Sequence, residues 1–120
     1  MTIELTQETF AATVKQGIVL IDWWAAWCGP CRAFAPVFAQ AAGRHRDITF
    51  AKVDTEAEPV LAGAFAISAI PTLMAFRDGI LVFEQPGALP AAALDRLIEA
   101  VRALDMDDVR RQIADSASPE

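Results

Sequence analysis

A chain of 120 residues, 54% of them apolar, has material for one continuous core and not for two. Its net charge of -6, with Lys15 and Lys52 as its lysines, argues against a nucleic-acid partner, whose sites cluster Lys and Arg; Arg44/Arg46 and Arg110/Arg111 read as solvated helix ends. The longest unbroken apolar run, Trp23 to Cys28, falls far short of a bilayer span, so no membrane partner is expected.

Met1-Thr2-Ile3-Glu4-Leu5 has neither a basic n-region nor an apolar h-region, and a cytoplasmic location is expected. Ile3 to Leu5 reads as a short strand. Thr6 as a cap, Glu8 in the first turn, Phe10 and Val14 on one side and Gly17 as the stop predict the first helix. Ile18-Val19-Leu20-Ile21-Asp22-Trp23-Trp24 is apolar on both parities, the pattern of a central strand covered on both faces.

Pro30 suits the first turn of a helix that continues through Phe34, Val37, Phe38 and Ala41 and ends near Gly43 and Arg44, with a kink expected at Pro36. Ile48 to Asp54 follows as a strand, and this order implies a parallel crossover. A short helix is expected from Pro59 to Phe65. Thr72 to Phe76 and Ile80 to Glu84 are strand-like and joined through Asp78-Gly79, a hairpin signal.

After Pro86-Gly87, the helical spacing of Leu94, Leu97, Ile98, Val101 and Leu104 predicts a last major helix against the sheet. Residues 1–104 read as the domain. Residues 105–120 read as an acidic extension, with Met106, Val109 and Ile113 allowing a short helix and Ser116 to Pro119 reading as frayed. The fold class is α/β, a mixed sheet with helices on both faces.

Cys28 and Cys31 are the two cysteines. Residues three apart at a helix start lie on one face, about 5 to 6 Å between Cβ atoms, so a bridge can open and close with little backbone movement. Unpaired N–H groups and the helix dipole favour the thiolate of Cys28, which is read as the nucleophile. Cys31, one turn in, is placed to resolve the mixed disulfide that Cys28 forms with a substrate. Two ordinary core thiols and a metal site are the rivals. A structural zinc site wants four ligands, and His45 is the only further candidate among Cys and His; it reads better as a solvated helix-end residue without function.

Trp27-Cys28-Gly29-Pro30-Cys31 resembles the active site of the thioredoxin family. The likeness runs from about Leu5 to Leu104 through Asp22-Trp23-Trp24-Ala25, Ala35-Pro36, Val53-Asp54, Ile70-Pro71-Thr72, Asp78-Gly79 and Gly87-Ala88-Leu89. Trp23 stands where that family usually has phenylalanine, Ala26 where a polar residue or proline is common, and the tail beyond Leu104 is extra. The resemblance implies the thioredoxin fold and a cis bond at Ile70-Pro71. It also implies a shallow docking groove of Trp27, Gly29, Pro30, Ile70, Pro71, Gly87 and Ala88 for extended segments of client proteins.

The implied activity is general protein-disulfide reduction by a monomer, recharged by a thioredoxin reductase that draws on NADPH, with no cofactor held by this chain. An oxidant or isomerase, and an interaction module built on the same fold, are the alternatives. Asp22 matches the family's buried aspartate. Ile21 and Trp23 leave it no polar face, so burial should raise its pKa, and Lys52 on the next strand should offset part of the rise. From there it could take the proton of Cys31 as general base.

Overall fold

Ten elements make up the computed structural model, which describes residues 1–117. They are β1 (Thr2–Glu4), α1 (Gln7–Val14), β2 (Ile18–Trp24), α2 (Gly29–Arg44), β3 (Thr49–Asp54), α3 (Pro59–Ala64), β4 (Thr72–Arg77), β5 (Ile80–Pro86), α4 (Ala91–Arg102) and α5 (Met106–Ala117). The strands form one sheet in the order β1-β3-β2-β4-β5. β2 lies at its centre, as its two-sided apolar pattern requires. β3 runs parallel to it on one side and β4 antiparallel on the other.

Alternation along β2 divides the core into two layers. Val19, Ile21 and Trp23 point to the side where α1 supplies Phe10 and Val14 and α3 supplies Leu61 and Ala62. Leu20 faces Phe34 and Phe38 of α2 and Leu94, Ile98 and Val101 of α4. Trp23 fills its layer with aromatic contacts, its ring centroid 5.5 Å from that of Phe65 and 6.1 Å from that of Phe10. Each such fully buried large side chain contributes about 2–3 kcal/mol by leaving water.

Local signals act where they were expected. Thr6 N–H donates to Thr9 Oγ1 at 2.9 Å at the start of α1. Asp78 and Gly79 both adopt positive φ, 53° and 84°, which makes the β4–β5 turn tight. Asp78 is also tied to the α1–β2 connection, since its Oδ1 accepts Gly17 N–H at 3.0 Å and its own N–H donates to the Gly17 carbonyl at 2.9 Å. Pro36 lies within α2, which continues on both sides of it.

One reading of the sequence is corrected, and another is narrowed to the first of its two forms. His45 ends α2 but is not a solvated cap: its ring is half-buried, with Nε2 3.0 Å from Asp95 Oδ1 and Nδ1 3.3 Å from Arg102 Nη2, joining α2 to α4. Arg44 belongs to the same cluster, 3.0 Å from Asp95. The residues after Leu104 form a twelve-residue helix anchored by buried Met106. Ser116 lies inside that helix, and Ser118 and Pro119 lie outside the described residues.

The Arg77 guanidinium fixes the turn into α5. Its Nη1 donates to the carbonyls of Val101, Arg102 and Leu104 at 2.9, 3.2 and 2.9 Å, gathering the acceptors at and just after the C-terminal end of α4. No helix among the described residues is long and apolar enough to cross a membrane.

Candidate redox site

β2 ends at Trp24 and the chain turns through Ala25 to Trp27 before α2 begins, so Cys28 sits at the N-cap where a strand meets a helix. Cys28 has extended backbone, and Pro30 occupies the first turn, where its missing N–H costs no helical hydrogen bond. Cys28 and Cys31 are joined as a disulfide with Cα atoms 5.2 Å apart. The Cys31 backbone N–H donates to Cys28 Sγ at 3.2 Å. That same donor stabilises a thiolate at Cys28 once the bridge opens, together with the positive end of the helix dipole. Cys28 Sγ also lies 3.7 Å from the Ile70 carbonyl oxygen.

Both sulfurs are largely shielded, whereas the surface beside them is open. Cys28 and Cys31 pack with Ala25, Trp24 and Ile70. Trp27 is 68% exposed, an aromatic face that no core contact requires. Opposite it the Ile70-Pro71 bond is cis. Gly87, at φ 100°, donates its N–H to the Pro71 carbonyl at 2.7 Å, so the loop carrying Gly87 and Ala88 is bound to the cis-proline turn. Thr72 Oγ1 braces that turn by donating to the Ala69 carbonyl. Of the residues expected to form the groove, Trp27 and Ile70 line one depression and Gly87 is hydrogen-bonded to Pro71.

Sequence reasoning missed part of this rim. An open depression of about 190 Å³ lies between Trp27 and Thr55, Ile67, Ser68, Ala69 and Ile70. Ser68 and Ala69 could have been suspected from their place just before Ile70-Pro71; nothing local points to Thr55. Arg32 was also missed: its guanidinium donates to the Ala26 carbonyl at 2.8 Å and braces the turn that presents Trp27.

Asp22 is fully buried on the face of β2 that α2 covers, sharing the parity of Leu20. Neither of its carboxylate oxygens receives a hydrogen bond from the described residues. Lys52 is its cross-strand partner, and Nζ stands 4.0 Å from Asp22 Oδ2, beyond hydrogen-bonding distance. The ammonium also stands 4.8 Å from the centroid of the Trp24 ring, a cation–π contact that shares its charge. Burial therefore dominates and pushes the Asp22 carboxyl up to about 6, with Lys52 lowering it and the charge of Glu4 raising it. His45, the remaining zinc-ligand candidate, stands at the other end of α2, roughly 25 Å along the helix from Cys28.

The thioredoxin family model matches residues 1–100 of this chain. The provisionally named thioredoxin 2 of Streptomyces coelicolor is 56% identical over 115 residues, covering 95% of this chain and 86% of that protein, a match long enough to take in most of α5. A Mycobacterium bovis thioredoxin is 43% identical over 103 residues (83% of this chain, 89% of that one), and a Bacillus subtilis thioredoxin 35% over 97 residues (80% and 93%). Among solved structures, a chain from work on the thiol resolving mechanism in yeast mitochondrial 1-Cys peroxiredoxin via glutathione/thioredoxin systems superposes with a TM-score of 0.76. It is 29% identical, with 82% of this chain and 94% of that one covered.

Proposed function

The chain belongs to the thioredoxin family of thiol-disulfide oxidoreductases, and from that premise we propose that it is a general protein-disulfide reductase whose electrons come from a thioredoxin reductase. The observation that carries this reading is Cys28 Sγ at a helix N-cap, receiving the Cys31 N–H at 3.2 Å beside the cis-proline turn. A client segment lies across Trp27, Gly29, Pro30, Ile70, Pro71, Gly87 and Ala88. It works in the cytoplasm as a monomer.

Reduction runs in two displacements. The Cys28 thiolate attacks one sulfur of the client disulfide; a Cys28–client disulfide forms and the second client sulfur leaves as thiolate, taking a proton from water. Cys31 then gives its proton to the Asp22 carboxylate, directly or through a water, and attacks Cys28 Sγ. The Cys28–Cys31 bridge closes and the first client thiolate departs, so two electrons have passed from the dithiol to the client. A base whose pKa lies near 6 is ionised at neutral pH yet strong enough to draw the proton, and Lys52 steadies the charge between turnovers.

Insulin disulfide reduction tests the reading, first with dithiothreitol and then with NADPH and a bacterial thioredoxin reductase. Acceleration in both arms is expected. No acceleration in either would leave the fold serving as a docking module, and activity with dithiothreitol alone would remove the reductase as electron source.

A further inference from the structure

Glu4 closes β1, an edge strand, and stands opposite Lys52 in the β1–β3 register; Lys52 in turn stands opposite Asp22 in the β3–β2 register. Three charged positions therefore form one row across three adjacent strands and share one face, with the single ammonium in the middle. On the fourth strand the row continues as Leu73, which offers no charge.

A lysine held between two carboxylates belongs wholly to neither. Nζ stays 4.0 Å from Asp22 although neither of that acid's oxygens has a hydrogen-bond donor among the described residues. On its other side Glu4 is the cross-strand neighbour of Lys52, where burial raises its carboxyl and the charge of Lys52 and the Trp24 side chain lower it. We propose that Glu4 is a positioning residue of the Asp22 site: from the far end of the row its carboxylate shares the Lys52 ammonium and holds it back from the buried acid. The catalytic meaning of this sharing rests on Asp22 as the proton acceptor, whereas the sharing itself does not.

The other charges around the row are accounted for. Asp54 acts on Glu4 from β3 and reinforces the negative end. On α2, which covers this face, Arg32 is engaged with the Ala26 carbonyl and Arg44 with Asp95. On α4, Asp95, Glu99 and Arg102 are engaged in the cluster with His45 and Asp47, and Arg96 is exposed. Cys28 and Cys31 do not titrate in the disulfide form.

The test follows the Asp22 carboxyl carbon by NMR in the oxidised full chain, from acid to mildly alkaline pH, in wild type, Glu4→Gln, Lys52→Met and the double variant. Glu4 is exposed at a sheet edge, and glutamine keeps its shape and an acceptor for Trp24, so the fold should be retained. Direct repulsion by a unit charge two strand spacings away (about 9.6 Å) accounts for a fall of about 0.3 to 1.3 pH units between the dielectric of water and that of a protein surface, and the Glu4→Gln midpoint should fall by this and by the further amount that a fully returned lysine adds. The fall should be smaller when Lys52 is already methionine. An unmoved or raised midpoint in Glu4→Gln overturns the proposal. So does an equal fall in both backgrounds, since Glu4 would then repel Asp22 without sharing the lysine. The proton-acceptor reading is judged separately, by whether the rate of Cys31 closure in wild type follows the Asp22 midpoint.

Discussion

Replacing Asp22 by asparagine should favour the oxidised protein more at neutral and alkaline pH than in acid. The carboxyl is pushed by burial from an ordinary value of 3.8 up to about 6. Between those limits the native state keeps a proton that the unfolded chain has released, so stability falls as pH climbs through the window and levels off above it. At about 1.36 kcal/mol per pH unit, the fall is on the order of 3 kcal/mol. Asparagine is neutral throughout and escapes that loss. The stability of the variant minus that of wild type should therefore rise by about 3 kcal/mol from the acid end of the window to its neutral end, and then stay level.

The amide brings donors of its own and leaves Lys52 with one carboxylate partner fewer. These effects displace the whole difference curve, so the rise is the quantity to read and not its zero. Urea unfolding of the oxidised proteins at closely spaced pH values supplies it, with the transition midpoint and slope fitted at each pH. A difference that is flat across the window would refute the reasoning, because Asp22 would then titrate alike in the folded and unfolded states. The same variant should slow closure of the Cys31 disulfide more than the first attack by Cys28, resolved by rapid mixing with a client disulfide.

Cys31→Ser should accumulate mixed disulfides through Cys28, visible on non-reducing gels, and Cys28→Ser should trap almost none; faster alkylation of Cys31 than of Cys28 in the reduced protein would reverse the roles. Trp27→Ala should raise KM for a protein disulfide several-fold with little change in Tm, since the ring is 68% exposed. An unaltered KM would remove Trp27 from client docking. Met106→Ala should cost about 2 kcal/mol or more by denaturant unfolding and Ile113→Ala about 0.5 kcal/mol or less, given one buried and one exposed side chain. Equal small losses would make α5 an appendage and not part of the packed domain.

Much of the architecture was legible because its signals are local. β2 could be placed at the sheet centre since Val19, Leu20, Ile21 and Trp23 leave no face for water. The β4–β5 hairpin was legible in Asp78-Gly79, which accepts the positive φ that a tight turn needs. Three features were not. His45 was misread because its partners, Asp95 and Arg102, lie 50 and 57 residues away. The extent of α5 depends on Arg77 binding the end of α4, an arrangement invisible in the composition of the tail. The cis form of Ile70-Pro71 came from a family likeness, since the isolated dipeptide favours trans.

By itself the sequence determined what short stretches can decide: where helices begin and strands turn, which strand is buried on both sides, and that two thiols three residues apart at a helix start can exchange electrons with a disulfide. Capping, periodicity and the reach of one helical turn are set by neighbours along the chain. Lys52 could be expected beside Asp22 from the parity of neighbouring strands; only the tertiary structure decided that Glu4 shares their row. Glu4, Asp22 and Lys52 came together through strand order and register, which the packing of the whole core selects, because a one-residue slip would turn each strand's apolar set towards water. The charge that stands beside Asp22 is consequently a property of the assembled sheet, not of any segment within it.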